Sequence, residues 1–157
     1  MIRLNKEQRR RFGKLLYPFM KDDRIKSMKD FIHHGSRSTY THCVDVARTA
    51  FWLNEKLRMR ADEKMLVRGA MLHDYFLYDW HDHGDKLHGY HHPKIAARNA
   101  KKDFDISDHE KKMIESHMWP LTLFHPPCSK EGWLLTAADK IISSQEVIKG
   151  RIEAIKN

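Results

Sequence analysis

Asp62-Glu63-Lys64-Met65-Leu66-Val67-Arg68-Gly69-Ala70-Met71-Leu72-His73-Asp74 sets a polar pair directly behind an apolar run. Asp62 can cap a helix that continues to His73. The residues ahead of the pair, Val67, Ala70, Met71 and Leu72, are apolar, so the helix reads as core-facing and aims His73-Asp74 into a mostly buried site. An imidazole and a carboxylate held there need hydrogen bonds or a cation. Taken alone the dipeptide is weak evidence, because a lone His-Asp is more often a capped helix end than a ligand set.

The same helical period extends to both sides. From Tyr40 to Leu57, Val44, Ala47 and Phe51 recur at three- and four-residue steps, and Val46, Ala50 and Leu53 widen the stripe. Further helices are expected over Lys6 to Phe19, Asp23 to Ile32, Pro93 to Lys102, Asp108 to His117 and Lys130 to Ile148. Ser107 followed by Glu110 forms a capping box, and Pro93 suits a first helical turn. Alternating Val, Ile and Thr runs and Asn-Gly or Asp-Gly turns are missing, so no strand competes. The expectation is an all-α fold, a compact bundle of about six to eight helices around one core, with 1–157 as a single domain. Asp79 to Gly89 and Trp119 to Ser129 are read as loops from their His, Asp and Gly content and their prolines.

Bulk composition narrows the class. With 41% hydrophobic and 32% charged residues the 157-residue chain looks soluble and globular. A formal charge of +8 favours anionic partners without choosing among them. Its clusters, Arg9 to Arg11 and Lys101-Lys102, read as solvated helix faces, and no basic stripe interleaved with aromatics accompanies them, so nucleic acid is not the expected partner. Cys43 and Cys128 form no close-spaced pair, which fits a reducing cytoplasm. Met1 to Lys14 lacks the apolar stretch of a signal peptide, and no run of about 18 apolar residues suggests a membrane span.

Twelve histidines are present, gathered mainly at expected helix ends and adjoining loops. Reading outward from the pair gives His42, His73-Asp74, His92 before Pro93, His117, and Asp139 within Ala137-Ala138-Asp139-Lys140. Together with Thr41 to Ala47, Gly69 to Asp74 and His92 to Ala96, this order from about Thr39 to Gln145 resembles the HD-domain superfamily of metal-dependent phosphohydrolases. His73 to Trp80, Leu87 to Ala97 and His117 to Leu121 resemble a small bacterial branch of it. The resemblance implies that His42, His73, Asp74 and Asp139 hold one divalent metal and that Asp74 bridges to a second held by His92 and His117. Imidazole and carboxylate donors suit iron, manganese, nickel, zinc or magnesium. Such a pair can activate a shared water to hydroxide against a phosphorus atom. Phosphoester hydrolysis of a small phosphorylated metabolite or nucleotide is then the expected activity, with Asp74 at its centre.

Other positions carry two readings each. His88 could bind phosphate or protonate a leaving group, or make a structural hydrogen bond. Lys140 and Lys86 could reach substrate or remain solvated. His91 stands next to His92 and reads as a surface or loop residue, with substrate contact as its functional alternative. Trp119, beside His117, either walls the pocket or packs under a loop; Phe76, Tyr78 and Trp80 read the same way. His33 and His34 would finish a helix or stand at the pocket mouth. His81 and His83 with Asp79, Asp82 and Asp85 form a polar loop or an accessory metal site, and His109 and His125 have no motif around them. Two other functions use the same ligands: a mixed-valence di-iron oxygenase, or a non-catalytic module that retains metal or nucleotide.

Overall fold

The computed structural model describes residues 2–34, 37–78 and 87–156. Seven α-helices are found among them: α1 (Lys6–Lys21), α2 (Asp23–Lys26), α3 (Thr39–Lys56), α4 (Glu63–Leu72), α5 (His88–Phe104), α6 (Asp108–Glu115) and α7 (Lys130–Lys156). The all-α expectation holds. No helix of the described residues is long and apolar enough to cross a membrane.

Local chemistry fixes where the helices begin. Asn5 accepts from Gln8 N at 2.9 Å while the Gln8 side chain accepts from Asn5 N, closing a reciprocal box at α1. Ser107 and Glu110 form the expected one at α6. Asp62 accepts from Met65 N at 2.8 Å at the head of α4, and Ser38 caps α3 through Thr41 N. Each cap is worth about 1 kcal/mol, because it satisfies a main-chain donor that has no intrahelical acceptor.

The core lies where α3 packs on α4 and α7, with α6 also meeting α4 and α5 lying along α6. Val46, Ala47, Ala50 and Phe51 of α3 are fully buried, as are Leu66, Val67 and Ala70 of α4 and Leu135 and Ala138 of α7. Alanines at 47, 50, 70, 96, 97, 100 and 138 keep the facing surfaces thin, so polar side chains at the helix ends can converge. Burying one Leu or Phe side chain contributes about 1.5–3 kcal/mol, so this layer can offset the cost of enclosing charge nearby.

Three features depart from the sequence reading. The helix expected over Asp23 to Ile32 stops early: α2 gives way to a 3₁₀ turn, Ser27–Lys29, and Ile32–His34 forms a short strand, β1, antiparallel to β2 (Arg37–Ser38). Ile25 and Met28 already bury the segment's apolar contribution, and beyond them Thr39 N bonds to Phe31 O at 2.8 Å, turning the chain back into α3. His33 and His34 therefore belong to a strand and do not finish a helix. Pro93 is not in a first turn: α5 starts at His88, and Pro93 sits inside it, where its missing N–H leaves Gly89 O without the usual helical donor. Finally, α7 runs past Ile148 to Lys156.

A buried imidazole–carboxylate centre

Five helices, or the turns that end them, each deliver part of one cluster. His42 lies in the first turn of α3, His73 ends α4 with Asp74 next to it, His92 lies in α5, His117 follows α6, and Asp139 lies in α7. None of the six is more than 5% exposed. Six ionisable side chains enclosed together need mutual compensation or a cation.

Asp74 is at the middle. Its Oδ1 lies 3.2 Å from His92 Nε2 and 3.6 Å from His117 Nε2, while its Oδ2 lies 3.5 Å from His73 Nε2 and 3.7 Å from His42 Nε2. Asp139 Oδ1 approaches His42 Nε2 at 3.3 Å and His73 Nε2 at 3.8 Å. The carboxylate thus turns one oxygen toward each pair of imidazoles.

All four rings face the centre with Nε2 because something else holds Nδ1. His73 Nδ1 is 2.8 Å from Ala70 O, His117 Nδ1 2.7 Å from Ile114 O, and His92 Nδ1 2.9 Å from His88 O. His42 Nδ1 meets a carboxylate instead, Glu146 Oε2, at 3.1 Å. Donation of Nδ1–H to an oxygen leaves the Nε2 lone pair for a cation, the arrangement found around metal-ligating histidines.

The donor set fits a divalent ion. Ligand atoms of His42, His73 and Asp139 lie within 4.8 Å of one another, as do those of His73, Asp74 and His117, so either group could hold a metal. His92 Nε2 and His117 Nε2 are 3.0 Å apart. Two imidazole lone pairs at that distance repel unless positive charge lies between them, and neighbouring ligands on an ion with bonds of about 2.0–2.1 Å are separated by about that much.

Electrostatics agree with a centre built for positive charge. Burial opposes a charged His73, yet the Asp74 carboxylate beside it, with Cys43 and Asp139, outweighs burial and holds the imidazole well above its ordinary pKa. Burial, together with His73 and His92, pushes His117 well below. Burial also opposes an ionised Asp139, but hydrogen bonds from His42 and His73 keep its carboxyl well below the usual range. Burial raises the Cys43 thiol, whose Sγ is 3.8 Å from His73 Nδ1, so this cysteine stays a neutral packing group.

The remaining sequence candidates occupy different places. His88 stacks on His92 with centroids 4.6 Å apart, and its Nδ1 lies 2.8 Å from Tyr78 Oη. Phe76 meets both His88 and His92 edge-on, so Phe76 and Tyr78 line this side of the cluster. Lys140 is half-buried and places Nζ 2.9 Å from Asp139 Oδ2. His91 is exposed on α5, and Trp119 packs edge-on against Trp133. His109, exposed on α6, pairs with the buried Glu131. Lys86 and the 79–85 group fall outside the described residues. Glu146, against His42, and Arg37, against Glu146, were missed, although Glu146 stands seven residues after Asp139 and so on the same face of α7.

This helical domain encloses groups of imidazoles and carboxylates that could hold a metal, and comparison of the sequence narrows the class: the HD domain matches residues 39–143. The chain belongs to the HD-domain family, within the superfamily of metal-dependent phosphohydrolases. No curated protein and no solved structure matches it significantly.

Proposed function

We propose that this protein is a phosphohydrolase with two divalent metals, acting on a small phosphorylated metabolite or nucleotide. The observation that carries this reading is the division of Asp74, with Oδ1 toward His92 and His117 and Oδ2 toward His42 and His73. His42, His73, Asp74 and Asp139 would hold one ion, and Asp74, His92 and His117 the other. When bound, the pair supplies a water of lowered pKa and Lewis acidity toward phosphoryl oxygens.

The chain's own groups do the rest. Asp74 fixes the spacing of the two halves, and the carbonyls behind His73, His92 and His117 keep the rings from turning. His88, one ring from the cluster, is positioned by Tyr78 to pass a proton to a departing oxygen. Lys140, beside Asp139, adds positive charge at the edge, where a phosphate would need it. An overall charge of +8 draws small anions inward, and the two free cysteines suit the cytoplasm.

Anaerobic purification with metal analysis, followed by phosphate-release assays across phosphorylated metabolites, tests the reading. Two metals per chain and phosphate release without oxygen are expected, with both lost in Asp74→Ala. An Asp74→Ala protein that kept its metals and full activity would overturn it. Turnover that consumed dioxygen and released no phosphate would instead assign the same ligands to an oxygenase, and a metal-loaded chain that turned over nothing would be a binding module.

A further inference from the structure

We propose that Glu146 is a positioning residue that sets the tautomer of His42, with Arg37 holding Glu146 in place. The inference deepens the metal-centre reading, since it takes His42 to be a ligand. It starts from an asymmetry among the four imidazoles. Three have Nδ1 against a main-chain carbonyl three or four residues earlier in the chain. His42 alone has Nδ1 against a carboxylate, Glu146 Oε2 at 3.1 Å, carried by another helix.

Glu146 is not a solvated residue that happens to lie nearby. It is 7% exposed, and a carboxylate so enclosed needs a partner of opposite charge. Arg37 of β2 supplies it, with Nε 3.1 Å from Glu146 Oε1, and the same guanidinium also pairs with Asp45 of α3. The chain Asp45, Arg37, Glu146, His42 therefore links the short hairpin, α3 and α7 at the back of the centre. A negative acceptor at Nδ1 favours the Nδ1–H tautomer and commits the Nε2 lone pair to the ion. A purely structural ion pair between Arg37 and Glu146 would leave the His42 tautomer unmoved, and this difference makes the role testable.

The test uses the full chain and zinc as probe. Nitrogen NMR of the His42 ring in metal-free protein, at a pH where imidazole is neutral, reads the tautomer directly, and zinc titration reads affinity and stoichiometry. The native chain should show His42 protonated at Nδ1. Glu146→Leu should lose that preference and weaken zinc at one of two sites by about 10- to 100-fold. Glu146→Gln has one acceptor oxygen for two donors, Arg37 Nε–H and His42 Nδ1–H, and should fall between Glu146→Leu and the native chain in both readings. A native tautomer together with native affinity in Glu146→Leu would overturn the proposal. Should Glu146→Leu fail to fold, Glu146→Asp, whose carboxylate is one methylene short of His42, gives the same two readings and decides in the same way. If the native chain took up no zinc, the metal-centre reading would fall, and the tautomer comparison would still decide whether Glu146 positions His42.

Discussion

His92 Nε2 and His117 Nε2 face each other at 3.0 Å, one carried by α5 and the other by the turn that ends α6. With each Nδ1 spent on a carbonyl, neither ring can easily turn away. These two side chains and Asp74 Oδ1 form half of the cluster, and His42, His73, Asp139 and Asp74 Oδ2 form the rest.

The two halves should empty independently. His117→Ala is expected to lower metal content from two ions per chain to one, and Asp74→Ala to remove both. His109→Ala, on the exposed face of α6, should leave both. Elemental analysis of anaerobically purified variants reads the ratio, and equal losses at His109 and His117 would mean that the ligand set is misassigned.

Metal uptake should expel a proton. His73, raised well above its ordinary value, keeps a proton in the metal-free protein at neutral pH, whereas His117 and Asp139, both held well below theirs, keep none. Zinc binding at pH 7 should then release the His73 proton, with affinity climbing as pH rises toward the raised value. The metal-free fold shows the opposite trend. The stability it draws from charged His73 is fully present below the unfolded value of about 6.5 and is lost as pH passes the raised one. Calorimetry in two buffers of different ionisation enthalpy counts the proton, and uptake without release at pH 7 would contradict this account.

His88 should matter most when the leaving group is poor. A general acid contributes about 10²- to 10⁴-fold where the departing oxygen needs a proton. His88→Gln is expected to slow hydrolysis of an alkyl phosphate about 100-fold while changing p-nitrophenyl phosphate hydrolysis far less, with metal content unchanged. Comparable losses on both substrates would remove His88 from the proton-transfer step.

Gly69, one turn before His73, is held small by α6. A methyl added there would lie 2.2 Å from Met113 Cε, and Met113 is itself only 2% exposed. Replacing a helical glycine with alanine gains about 0.8–1.0 kcal/mol of propensity, and overpacking costs about 1–3 kcal/mol. Because the clash falls on the flexible end of a thioether, Gly69→Ala should lose a net of about 1 kcal/mol, seen as a lower urea midpoint at unchanged slope.

Much of this was readable from residue order, for a physical reason. Helix period and capping chemistry are local, so Ser107 with Glu110, and Asp62 ahead of Met65, announced α6 and α4 directly. His42, His73, Asp74, His92, His117 and Asp139 were legible as a set because each stands near a recognisable neighbour, although no spacing could say that Asp74 divides its two oxygens. The hairpin of β1 and β2 was not legible, since a three-residue strand carries no alternation to detect. Glu146 was missed because its meaning depends on a ring 104 positions earlier in the chain. Arg37 was missed with it, as one more cation in a basic sequence.

Three of the four rings are steered by peptide oxygens, which no codon change at those anchor positions can delete. Anyone seeking to retune this protein for a different ion by altering what stands behind the histidines would find the one carboxylate among those anchors, Glu146, within α7.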